Sequence, residues 1–207
     1  MTRIRHCFFH LSWLIALLFL SGCSGIKSDS PRQNLFRISA DSREISQLEQ
    51  GAGLLVRPFD INPEFESGSF VFRVSQDQFK EDFYNKFMIS PARMITNAVR
   101  EDLIASPVFK SVPAREPIEI PYRLRGKVLD LYADIQDTQT PKAVMTLRLI
   151  LEKENSKGFA TVISQTYPVQ VPVDSLDASD FARAWNQCLS MILSDFYKDV
   201  KDSETVK

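Results

Sequence analysis

The sequence has two histidines, His6 and His10, and none in the 197 residues that follow. A chain that loses its first 22 residues therefore has no imidazole, which excludes Ser-His-Asp and Cys-His hydrolysis, zinc sites with histidine ligands and histidine acid catalysis. Cysteine is almost as scarce, with Cys7, Cys23 and Cys188 alone. If Cys7 is removed and Cys23 is consumed by modification, Cys188 has no intrachain partner and no structural disulfide can form. Glycine numbers only seven, and neither Gly-x-Gly-x-x-Gly nor a Walker pattern is present. Gly51-Ala52-Gly53 precedes a strand and reads as a turn. Neither sign of charge dominates, with 25 Lys and Arg against 26 Asp and Glu, so the strongly basic face that nucleic acid requires is missing.

There is one long apolar run, from Cys7 to Leu20, and it is shorter than the about 20 residues of a membrane-spanning helix. Arg3 and Arg5 precede it and Leu20-Ser21-Gly22-Cys23 follows, the order of a secretory signal ending in a lipobox. Small Ser21 and Gly22 suit a peptidase cleft, and the Cys23 thiol is the nucleophile for diacylglyceryl transfer. Cleavage then frees an amine for a further acyl chain, and two or three chains together anchor stably where one binds marginally. Residues 1–22 are thus expected to be a signal peptide, leaving 185 residues and changing the formal charge from −1 to −3 as Arg3 and Arg5 depart. Residues 23–34 are the acylated N-terminus and a polar tether. Fully extended at about 3.3 to 3.6 Å per residue, the tether keeps the domain within roughly 40 Å of its leaflet. Ser24, where lipoproteins retained in the inner membrane often carry Asp, favours a periplasm-facing position on the outer membrane.

Residues 35–200 carry the pattern of one α+β domain with a mixed, mainly antiparallel sheet and two principal helices; residues 201–207 form a frayed tail. Leu35 to Ile38 predicts a short strand, and Gly53 to Ile61 a second, ending or lying at an edge because of Pro58. Ser69 to Val74 alternates with period 2. Phe79, Phe83 and Phe87 fit one face of either a helix or a strand. Ser90-Pro91 starts a helix with a hydroxyl cap and an N1 proline, and Ile95, Ala98, Val99 and Leu103 form its apolar face. A short strand is expected over Val108 to Val112. Three long strands follow, over Tyr122 to Ile135, Lys142 to Glu154 and Phe159 to Val171. The last two are joined by the turn Glu154 to Gly158, and a phase change near Val128 predicts a bulge in the first. A helix from Asp177 to Val200, capped by Ser175 or Asp177, presents Phe181, Ala184, Trp185, Cys188, Leu189, Ile192 and Phe196 as a core stripe. Cys188 is read there as a small buried hydrophobe.

No catalytic site, cofactor or metal site emerges. Ser24 and Lys27 have a Ser-Lys spacing but lie in the tether, where nothing holds a catalytic geometry. Asp130, Asp134 and Asp137 lack the spacing of a calcium loop and read as a solvated strand edge. Arg123, Arg125 and Lys127 alternate, so their side chains share one face. They are either the wet face of an antiparallel sheet or a docking strip for an acidic partner or lipid headgroups.

Leu55-Val56-Arg57-Pro58-Phe59, Phe72-Arg73, the stretch from Tyr84 through Pro91, Leu103, Ser106 and Phe109 to Val112, Leu124-Arg125-Gly126-Lys127-Val128 and the closing helix together resemble the ABC-type transport auxiliary lipoprotein family, which includes the outer-membrane lipoprotein of the paraquat-inducible system. The resemblance implies a non-enzymatic accessory lipoprotein. Such a protein works with a mammalian-cell-entry-type (MCE) periplasmic protein and, indirectly, an ABC permease and ATPase in moving lipids between membranes. It also implies that Phe79 to Phe87 is a strand. A stand-alone envelope-assembly or lipid-binding lipoprotein is the other expectation that the residues allow.

Overall fold

The computed structural model describes residues 32–40, 53–106, 108–109, 111–113 and 120–203. Cys23 with its lipobox, Ser24, Lys27, Gly51, Ala52 and residues 204–207 lie outside the described residues.

In chain order the elements are β1 (Asn34–Phe36), β2 (Leu54–Val56), β3 (Asp60–Ile61), a 3-10 turn (Pro63–Phe65), β4 (Ser69–Ser75), β5 (Gln78–Phe87), α1 (Pro91–Ala105), β6 (Tyr122–Asp134), β7 (Lys142–Asn155), β8 (Gly158–Pro172) and α2 (Ala178–Asp202). The strands make one mixed sheet in the order β1-β5-β4-β6-β7-β8, with β2 and β3 also paired to β6. This is the expected α+β class. One edge of β6 runs antiparallel to β7 along its whole length. The other edge is shared in turn by β2, β3 and β4, all parallel to it.

The strand expected over Gly53 to Ile61 is therefore two strands. Pro58 has no N–H to offer a ladder, and the register against β6 slips by one residue across it. Isolated bonds keep the segment in place: Arg57 N–H donates to the Leu124 carbonyl and Asn62 N–H to the Val128 carbonyl, each at 2.9 Å. The expected bulge in β6 is present, with Leu129 as the extra residue between Val128 and Asp130. Its carbonyl accepts from Asn62 Nδ2 at 2.8 Å, so the bulge has a side-chain partner.

Phe79, Phe83 and Phe87 lie on β5, antiparallel to β4, and of the three only Phe87 is buried. Of the short strand expected over Val108 to Val112, the described residues show one bridge position, Phe109, and no strand at Ser111 and Val112. Val108 and Phe109 are buried, but the Ser111 carbonyl takes a single backbone bond, from Leu54 N–H at 2.9 Å. The β2 ladder is made with β6 instead. The β7–β8 turn falls where expected; Gly158 has φ 116°, a conformation that favours glycine.

Both helices start where the sequence places them, with different capping. Ser90 is the residue before Pro91, yet its hydroxyl makes no cap bond; its carbonyl accepts from Met94 N–H at 3.0 Å. At α2, Ser175 Oγ donates to Asp180 Oδ2 at 2.6 Å and accepts from Asp177 N–H at 3.0 Å. α2 extends past Val200 to Asp202.

Period-2 alternation on β7 turns Met145, Leu147, Leu149 and Leu151 to one face, where all are buried together with the stripe of α2. Trp185 is central to that layer. Its ring meets Phe70 edge-on at 4.7 Å and lies 5.5 Å from Phe87, while Nε1 donates to the Tyr132 carbonyl at 3.3 Å. Truncating such a residue costs about 3 to 5 kcal/mol. The helices are joined by the Tyr197 hydroxyl, which donates to Asp102 on α1. Among the described residues no helix is long and apolar enough to cross a membrane.

Candidate functional site

With Leu124, Val128 and the β7 leucines turned toward the core, alternation sends Arg123, Arg125 and Lys127 to the opposite face. Register then decides their partners. Arg123 stands opposite Glu152, Arg125 opposite Ile150 and Lys127 opposite Arg148. Glu152 pairs with both arginines, contacting Arg123 Nε through Oε2 and Arg125 Nη1 through Oε1 at 3.5 Å. The carboxylate side chain is 8% exposed, against 32% for Arg123 and 54% for Arg125. Arg123 is held further by Phe159, whose ring centroid lies 3.9 Å from the guanidinium carbon. A planar cation stacked on a ring and paired with a carboxylate is fixed in orientation. Lys127 is exposed and faces a like charge, so the three-residue strip divides into an anchored pair and a separate lysine.

The anchored pair borders a concavity of about 430 Å³ lined by Arg57, Pro58, Asp60, Arg123, Arg125 and Gly126. Pro58 and Asp60 also border a second concavity of about 620 Å³, which reaches α1 at Arg93, Thr96 and Arg100. The ridge between the two is pinned from below. Phe59 N–H donates to Thr96 Oγ1 at 2.9 Å, and the Thr96 hydroxyl donates to the Ala92 carbonyl at 2.7 Å. Guanidinium groups arranged along one groove are donors suited to carboxylate or phosphate oxygens.

No protein-family model matches the sequence, and no curated protein matches it. Solved structures match it in fold. Protein XCC0632 from Xanthomonas campestris, a DUF330 protein, aligns with a TM-score of 0.71 at 19% identity, covering 84% of this chain and 94% of that one. The chain has the fold of that protein. A second structure, of an uncharacterized protein, aligns at 0.65 and 9% identity over 82% and 99% of the two chains. Protein CT253 from Chlamydia trachomatis aligns at 0.51 and 8% identity over 72% and 98%. At such identities the likeness is one of fold.

The other residues singled out in the sequence have structural roles. Asp130 and Asp134 are not on a sheet edge, because β6 is an interior strand with β7 on one side and β3 and β4 on the other, and Asp137 lies beyond its end. Asp134 pairs with Arg73. Burial pushes its carboxyl up, but the Arg73 guanidinium and the Gln136 N–H outweigh that and hold it below the usual range. Asp137 accepts from Gln139 N–H and the Thr140 hydroxyl at 2.9 Å each, bonds that lower its carboxyl. Among the described residues no cluster of His, Cys, Asp and Glu could hold a metal ion. Cys188 is fully buried, and burial pushes its thiol up to about 12.

Sequence reasoning did not single out Glu152 or Asp60. Glu152 had a visible signal: on the alternating face Val144, Thr146, Arg148, Ile150, Glu152, Glu154 it is the first of two acids, and a hairpin partner rich in arginine needs one. Asp60 had none, since its place in the groove depends on the break at Pro58.

Proposed function

We propose that this protein is a non-enzymatic lipoprotein, held in the outer membrane by acyl chains on Cys23, that serves as the accessory subunit docking the outer-membrane end of an ABC/MCE-type lipid-transport assembly. The observation that carries the reading is the arginine-lined groove. Two stretches on which the family resemblance rests, Leu55 to Phe59 and Leu124 to Val128, are far apart in sequence and border this groove side by side. The groove offers oriented cationic donors to an acidic segment of an MCE-type periplasmic protein, with the permease and ATPase engaged indirectly. The DUF330 likeness supports the fold on which this reading is built.

Affinity purification of the intact lipoprotein from membranes tests it. Recovery of an MCE-type component is the expected result; an intact bait that brings down neither MCE-type nor ABC components overturns the proposal in favour of a stand-alone envelope lipoprotein. The charge test should use Arg125→Gln, which removes the more exposed of the two arginines on Glu152 without setting a second carboxylate against it and leaves Arg123 in place. Capture should fall in that variant while its stability drops by less than about 1 kcal/mol.

A further inference from the structure

The segment that follows Cys23 joins the domain at the β1 edge of the sheet. Gln33 Nε2 donates to the Phe83 carbonyl at 3.3 Å and Asn34 Nδ2 to Asn85 Oδ1 at 2.9 Å, after which β1 runs parallel to the end of β5. Large apolar side chains are exposed at this junction. Leu35 and Phe83 are each 58% exposed and Tyr84 54%, with Met88 and Ile89 exposed just beyond β5. Phe83 and Tyr84 are linked neighbours. The Phe83 and Tyr84 rings meet edge-on at 5.4 Å, and the ammonium of Lys86, which stands opposite Leu35, lies 5.9 Å from the Phe83 ring. The nearby Asp82 carboxylate is occupied within the strand, accepting from Tyr84 N–H, Asn85 N–H and Asn85 Nδ2.

Single exposed apolar residues are ordinary, whereas a cluster on a sheet edge marks a contact surface. We propose that this patch is where the domain rests on the bilayer that holds its acyl chains, with Phe83 and Tyr84 at the boundary between headgroups and acyl chains. The proposal rests on acylation of Cys23. Ten residues, 24–33, separate that cysteine from Asn34, a reach of at most roughly 40 Å. The tether ends on Phe83 itself, so the membrane is the surface permanently within range of this edge, at the high effective concentration that a short linker imposes. Aromatic rings with a phenol and an ammonium at their margin match the chemistry of the interfacial zone.

The test uses the processed lipoprotein, its acylation verified by intact mass, in phosphatidylethanolamine–phosphatidylglycerol vesicles with or without brominated acyl chains. Loss of Trp13 with the signal leaves Trp185, which is fully buried, as an unquenched baseline. A Phe83→Trp variant should lose emission to brominated lipid and shift to the blue on reconstitution, as should Tyr84→Trp. Met191→Trp, at an exposed site on α2, should do neither. Acylated protein in which the Phe83→Trp and Tyr84→Trp variants behave like Met191→Trp overturns the bilayer contact while leaving the anchor intact. Protein with no acyl mass removes the anchor and the contact together. A shift that follows protein concentration in detergent, without bromine quenching, assigns the patch to a second copy of the chain and likewise overturns the proposal.

Discussion

The Phe59 ring lies so close to Gly126 that a Cβ placed there would sit 2.5 Å from it. Phe59 is buried beneath the ridge between the two concavities, and its N–H is tied to Thr96, so the ring has little room to retreat. Gly126→Ala should cost about 1 to 3 kcal/mol, the range for overpacking a core. Urea unfolding will measure it, and adding Phe59→Leu should recover part of the loss.

Glu152 sits nearly buried between two arginines, so the loss of either one has a different effect. Arg123→Ala removes the closer and better ordered partner and leaves a desolvated carboxylate, at about 1 to 3 kcal/mol. Arg125→Ala removes an exposed partner and should cost less than about 1 kcal/mol. Equal destabilisation of the two variants would contradict the geometry described for this pair.

The Tyr167 hydroxyl donates to Asp199 Oδ2 at 2.6 Å, and burial together with that carboxylate raises the phenol above its ordinary value of 10.0. Above that value the unfolded chain gives up this proton and the folded chain keeps it, so unfolding is favoured by rising pH. Tyr167 therefore contributes stability that is complete below pH 10 and declines above it. Tyr167→Phe should be less stable than the parent near neutrality, and the gap should close as the pH is raised beyond 10. Unfolding free energies measured across that interval give the comparison.

Cys188 should be chemically silent in the folded protein, because its thiol is fully buried and pushed up to about 12. Processed lipoprotein from membranes should show no reaction with a maleimide until denatured, and then a single equivalent, as the proposed acylation of Cys23 requires. Two equivalents after denaturation would mean that Cys23 is unmodified.

Much of this domain was legible because its long elements follow one period. Met145, Leu147, Leu149 and Leu151 recur with period 2, and the α2 stripe recurs at helical spacing, so local pattern and tertiary burial agree. The β6 bulge was visible as a change of phase at Val128. What could not be read was pairing. Val108 and Phe109 look like a strand, yet β2 finds its ladder on β6; Gly53 to Ile61 reads as one strand until Pro58 and the register slip divide it. Phe79 to Phe87 fits two periods, and its strand identity follows from pairing with β4. At the site, three evenly spaced cations predicted one strip, but cross-strand register gave two of them to Glu152 and set the third against Arg148.

The sharing of one edge of β6 among β2, β3 and β4 also orders events in time. Synthesis proceeds from the N-terminus, and among the described residues β2 and β3 take their ladders from β6. Apart from Leu54 N–H, which donates to the Ser111 carbonyl, their ladders wait until Tyr122 to Val128 has been made, and β6 in turn awaits β7 for its other side. The first half of the chain can thus form little more than the β1–β5 and β4–β5 pairings and α1 by itself. Closure of the sheet depends on contacts distant in sequence, which form slowly. A nascent chain with this wiring remains open until late, which suits the export that the proposed lipoprotein signal would require.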